Sequence, residues 1–134
     1  MIDLEFFIAG NVPSSKDGLR PIRGRIVPSK LTLEYRKDKT WDYHLCRDEF
    51  IRVSSYYEKP LKVGFYFYRK SRHRFDYINA TQIIQDMMVK HGWLPDDNSD
   101  ELHPYFIGYE HHKEKPGVKI SLLVWNNKLK DKEK

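Results

Sequence analysis

Apolar and polar positions alternate from the start of the chain. Ile2, Leu4 and Phe6 alternate with Asp3 and Glu5, which predicts a half-buried strand over residues 2–9. The pattern then lapses over GNVPSSKDGLRPIRGR, residues 10–25, where Gly, Pro, Ser and basic residues favour turns over regular structure. Residues 25–28 read as a short strand and Ser29 as a helix N-cap. A helix is predicted over residues 30–54, with Trp41, Leu45, Cys46, Phe50 and Val53 forming one apolar stripe. Pro60 marks the next boundary. Residues 61–68, LKVGFYFY, are apolar at nearly every position, the pattern of a central strand covered on both faces. A second helix is predicted over residues 77–91, with Gly92 as the residue that ends it. Two strands follow, near 105–111 and 118–125, joined by a turn at Lys115-Pro116-Gly117. The order predicts an α+β fold: a single domain whose mixed β-sheet carries two main helices packed on it.

Composition narrows this reading. A chain of 134 residues fits one domain with a substantial core, and 40% hydrophobic content excludes a disordered chain. The lone Cys46 excludes an internal disulfide, and its place on the apolar stripe favours burial over nucleophilic use. No apolar run approaches the roughly 18 residues of a membrane span, and the opening residues lack a secretory signal. The expectation is a cytoplasmic protein with no membrane partner and no small-molecule cofactor. Lys and Arg outnumber Asp and Glu by 24 to 19, which suggests a polyanionic partner. Part of that excess lies in NNKLKDKEK, residues 126–134, which read as a flexible basic tail after a domain spanning 1–125.

The second helix and the loop after it carry the candidate chemistry. With Asp76 at zero and about 100° per residue, Asn79, Asp86 and Gln82 share one narrow stripe; Thr81 and Gln85 form another. The second can face water; the first, hemmed by Ile78 and Val89 on one side and Ile83 and Met87 on the other, then needs partners or a function. Asp76 by itself reads as a cap residue, and Asp96 and Asp97 by themselves as turn residues. Taken together, carboxylates converging from two segments are oxygen ligands of the kind Mg²⁺ takes. Arg69, Lys70, Arg72 and Arg74 beside the helix, with Lys16, Arg20, Arg23 and Arg25 in the first loop, are candidates for phosphate contact or for ordinary solvated surface. Trp93 and Tyr105 are candidate base-stacking residues. His91 falls in the last helical turn, where a cation suits the dipole. His44 reads as surface, and the His111-His112 pair at a strand end points to opposite faces.

The run from Arg74-Phe75-Asp76-Tyr77-Ile78-Asn79 through Gln82 and Asp86 to Gly92-Trp93-Leu94-Pro95-Asp96-Asp97 resembles the signature of RusA-type Holliday junction resolvases. That signature reads Arg-x-Asp-x-Asp-Asn, then a Lys, an Asp, a Gly and an Asp-Asp pair, and the spacing matches without a gap. Val12-Pro13-Ser14-Ser15-Lys16 is similar to the family's loop after the first strand. The likeness covers about residues 1–125, with a specific part of roughly 25. It implies a RusA-like fold and a structure-selective endonuclease that resolves branched DNA by Mg²⁺-dependent hydrolysis (Mn²⁺ as a substitute). It further implies a homodimer, of phage-like character, in the cytoplasm of a bacterial host. Carried over by position, Asp76, Asp97 and Asp86 are the implied catalytic carboxylates, and Asp76, Asp97, Asp96 and Asn79 the implied metal ligands. Two positions depart: Ile78 replaces the second catalytic aspartate and Gln82 the helix lysine. The alternative is therefore a catalytically weakened or inactive binder of branched or single-stranded DNA on the same fold.

Overall fold

A computed structural model of the chain describes residues 4–13, 19–22, 25–28, 30–72 and 75–130, with backbone alone at 19–22 and 25–28. Its elements are β1 (Leu4–Ala9), β2 (Leu19–Ile22), β3 (Arg25–Pro28), α1 (Lys30–Asp38), α2 (Thr40–Ser54), β4 (Leu61–Arg69), α3 (Tyr77–Lys90), β5 (Leu102–His111) and β6 (Gly117–Leu122). Four strands make a mixed sheet in the order β1-β6-β4-β5, and β2 and β3 form a separate antiparallel pair. The α+β class holds, with three helices where two were expected. β4 is central, antiparallel to β6 and parallel to β5. A parallel neighbour needs a crossover connection, and α3 supplies it.

The sequence explains most of these elements. In β1, Phe6 and Ile8 turn into the core while Glu5 and Phe7 face away. In β4, Leu61, Val63, Phe65 and Phe67 are buried under the helices. Asp76 caps α3 by accepting the backbone N–H of Ile78 and Asn79. Gly92 ends α3 at φ +79°, donating to the Val89 carbonyl while Trp93 N–H donates to that of Met88. That is the Schellman arrangement, which calls for a residue tolerant of positive φ.

Several expectations are corrected. The helix over 30–54 is broken at Lys39, where the Thr40 hydroxyl takes the Arg36 carbonyl at 2.8 Å. A side chain that bonds four residues back competes with the backbone ladder and bends it. The apolar stripe of α2 is Tyr43, Phe50 and Val53, with Cys46 half-buried; Trp41 and Leu45 are exposed. Residues 19–22, expected as loop, pair with 25–28. β5 starts at Leu102, ahead of the expected 105, because it pairs along the whole of β4. Residues 126–130, expected as the start of a loose tail, are tied down. Asn127 exchanges hydrogen bonds with the backbone of Lys62, and Lys128 and Lys130 pair with Glu58 and Tyr56. Ser29, residues 2–3 and residues 131–134 lie outside the described residues.

One aromatic cluster joins the helices to the sheet. Trp93 is 3% exposed, packs on Phe6, Tyr43 and Phe50, and donates its indole N–H to the Tyr43 carbonyl at 2.8 Å. It is therefore a core residue, not a base-stacking one. The His91 ring stacks on Tyr43, and its Nε2 is buried without a partner among the described residues. Burial, then the charges of Lys90 and His44, lowers its pKa, against the expected favourable cation. A depressed histidine pKa means the unfolded chain binds the proton more readily. Stability is thus full above the unfolded pKa of about 6.5 and declines as pH falls below it. Thermal melts at pH 7.5 and 5.5 should show the loss, and His91→Phe should narrow the difference.

Candidate functional site

α3 lies over β4 and β5 with Ala80, Ile83, Ile84, Met87 and Met88 buried. Its exposed flank is centred on Ile78 and Gln82, with Ile78 66% exposed. A groove of about 170 Å³ runs between this flank and β5, lined by Tyr77, Ile78, Thr81, Gln82, Gln85, Pro104 and Phe106. Tyr77 stacks on Phe106 with ring centroids 4.4 Å apart, closing one wall. The Thr81 hydroxyl is buried here without a partner among the described residues.

The loop after Gly92 meets the groove at two of its lining side chains, Gln82 and Gln85. Pinned by Trp93 and Leu94, which are both buried, that loop brings Asp97 back against α3. One Asp97 oxygen accepts from the side-chain amides of Gln85 at 3.2 Å and Gln82 at 3.4 Å. The Gln82 amide also donates to Asp86 at 2.8 Å, and Arg36 pairs with the other Asp86 oxygen at 3.3 Å. Asp86 and Asp97, eleven positions apart in sequence, therefore share one amide nitrogen. Of the two polar stripes, the one that needs partners is, against expectation, that of Thr81 and Gln85, since Gln85 is only 8% exposed and is satisfied by Asp97.

The remaining candidates are placed as follows. Asp76 spends both oxygens on its own helix, Oδ1 on two backbone N–H groups and Oδ2 on the Asn79 amide. Gln82 and Gln85 lie six and nine residues further on, about 9–14 Å along the axis. Asp96 turns its carboxylate onto the Asp97 N–H and the Asn98 amide. Among the described residues no group of three or more His, Cys, Asp or Glu is placed to hold a metal.

Of the candidate cations, Lys70 and Arg72 are exposed. Arg69 is 6% exposed; its guanidinium donates to the Val12 carbonyl and lies 4.6 Å over the Phe75 ring. It is built into the fold, and burial lowers its pKa. Lys16, Arg23 and Arg74 lie outside the described residues, as do the side chains of Arg20 and Arg25. Tyr105 is 39% exposed. Sequence reasoning missed Arg36, whose charge balances Asp86 from a different helix; no local pattern signals a pairing across 50 positions. Compared with known protein families and with curated proteins, the chain matches none.

Proposed function

We propose that this chain is a structure-selective endodeoxyribonuclease that cuts branched DNA with the help of Mg²⁺, using the groove between α3 and β5. The observation that carries the reading is the meeting of Asp86 and Asp97 on the Gln82 amide, at the positions where the chain resembles RusA-type resolvases. The residues fit a weakly held cation better than a resident one. Mg²⁺ keeps several waters and is commonly held by one or two carboxylates plus substrate phosphates. Asp86 and Asp97 would supply those two, and the rest would come with the DNA. Mg²⁺ so held would polarise the phosphate and lower the pKa of an attacking water. The amides of Gln82 and Gln85 fix the Asp97 carboxylate, Arg36 offsets the charge of Asp86, and Asp76 sets the entry of the helix. Lys70, Arg72 and the cations of the first loop would hold the phosphate backbone. With about six such contacts, log affinity for DNA should fall against log salt with a slope of about −5, and a flat titration would remove the nucleic-acid reading. A four-way junction is two-fold symmetric, so paired cuts require two sites, which a C₂ dimer supplies.

A second reading, a DNA-binding protein with weakened cleavage, is favoured by one observation. Ile78, which stands where the family has an aspartate, is exposed on the groove and offers no oxygen. Substitution there distinguishes the two. Ile78→Asp adds a carboxylate on an exposed helical position and should raise Mg²⁺-dependent cleavage of a synthetic four-way junction at least several-fold. Unchanged cleavage would show that the ligand set is not what limits the reaction.

A further inference from the structure

The helices cover one face of the sheet, and on the other, among the described residues, aromatic rings stand partly exposed. Phe7 of β1 and Tyr66 and Tyr68 of β4 stand on it, with Phe7 and Tyr68 centroids 5.8 Å apart and Tyr66 and Tyr68 5.2 Å apart. Phe7 is 39% exposed. At one end, Phe7, Tyr68, His112 and Lys115 line an open groove of about 230 Å³. Gly117 makes room for it: a Cβ there would strike the Phe7 ring and the Ile8 carbonyl, so the ring lies over the sheet only above a glycine. Cations border the rings, with the Lys115 and Lys119 ammonium groups each 5.5 Å from a ring centroid, over Phe7 and Tyr66.

From this face we infer a second nucleic-acid site, one that takes the unpaired bases of a single strand by stacking them on Phe7 and Tyr68. Three observations select that ligand. Partly exposed rings in a row offer π faces that any base can use. The segment from Glu110 to Lys119 carries Lys113, Lys115 and Lys119 against Glu114 and Glu110, which accepts from the Tyr66 hydroxyl, and it sets the Lys115 ammonium over Phe7, where it can meet a phosphate. Glu5 offsets Lys119 at 3.8 Å, so the cation beside the stacking ring is Lys115. The exposed cations Lys70 and Arg72 also lie at this end of the sheet. The His112 N–H donates to the Arg69 carbonyl and the His111 ring meets the Lys70 carbonyl, which joins this end of the sheet to Lys70 and Arg72. A base seated on Phe7 displaces the Lys115 ammonium from the ring toward a phosphate. This site involves neither the carboxylates nor a metal, so it stands or falls apart from the cleavage reading.

The test is fluorescence anisotropy in EDTA with a labelled oligothymidylate and an abasic strand of equal length. The thymidylate should bind at least tenfold more tightly. Phe7→Ala should weaken it by about five- to 150-fold, the range one stacked base supplies, while Phe7→Tyr should keep it. Lys115→Gln should flatten the salt slope by about 0.7, the single-strand value for one phosphate contact. Equal binding of the two strands, or full binding by folded Phe7→Ala, would overturn the site. So would a fall in sedimentation mass in Phe7→Ala with oligonucleotide binding unchanged, because the face would then be a contact between copies of the chain.

Discussion

Asp97→Asn is expected to lower Mg²⁺-dependent junction cleavage on the order of 100-fold or more, the scale at which loss of one electrostatic contact to a reacting centre registers. Junction binding in EDTA should stay within about twofold of wild type, because the change removes one acidic charge and leaves the cations untouched. Asp97 accepts from Gln82 and from the buried Gln85, and the side-chain oxygen of asparagine can still accept from the Gln85 amide. Thermal stability should therefore change little, and gel-based cleavage beside a gel shift separates chemistry from binding. Asp76→Asn is the informative partner. Asparagine caps a helix about as well as aspartate, so a loss of cleavage in that variant would report on charge rather than on folding. Full activity is expected in Asp76→Asn, whose carboxylate serves the helix cap, and full activity in Asp97→Asn would contradict its assignment to the cation.

Trp93→Ala is expected to cost about 3–5 kcal/mol of folding free energy, against a total of about 5–15 for a domain. The side chain fills the space between Phe6, Tyr43 and Phe50, and its loss also leaves the Tyr43 carbonyl without the indole donor. Urea denaturation should show the midpoint falling with an unchanged slope. Of the three tryptophans, Trp41 and Trp125 are 65% and 75% exposed, so the blue-shifted emission of the folded protein should come from Trp93 and vanish in the variant. Trp93 also anchors the loop that delivers Asp97. A variant that still folds should cleave poorly through misplacement of that loop, whereas unchanged stability would contradict the burial assigned to this ring.

β1, β4 and α3 were legible because their signals are local. The alternation in β1, the continuous apolar run of β4, the Asp76 cap and the Gly92 terminus each depend on residues adjacent in sequence. What was not legible depends on distant partners or on side-chain competition. The break at Lys39 follows from one hydroxyl choosing the Arg36 carbonyl. Arg69 sits in a basic run and reads as a solvent cation, yet Val12 and Phe75 enclose it. β5 begins at Leu102, ahead of the expected 105, and takes in Pro104, which cannot donate to a ladder and is tolerated there because β5 is an edge strand. In the site, the stripe of Gln82 and Asp86 was visible on the helical wheel. The convergence of Asp97 with Asp86 was expected only as one of several carboxylate pairings, since loop closure is set by Trp93 and Leu94 in the core.

Incubation of the wild-type chain with a synthetic four-way junction and Mg²⁺ tests the central proposal most directly. The account expects symmetrically paired nicks that leave 5′-phosphates and that disappear in EDTA. An intact junction at protein excess, with Mg²⁺ present and binding saturated, would contradict cleavage at this groove and leave a protein that holds branched DNA without cutting it.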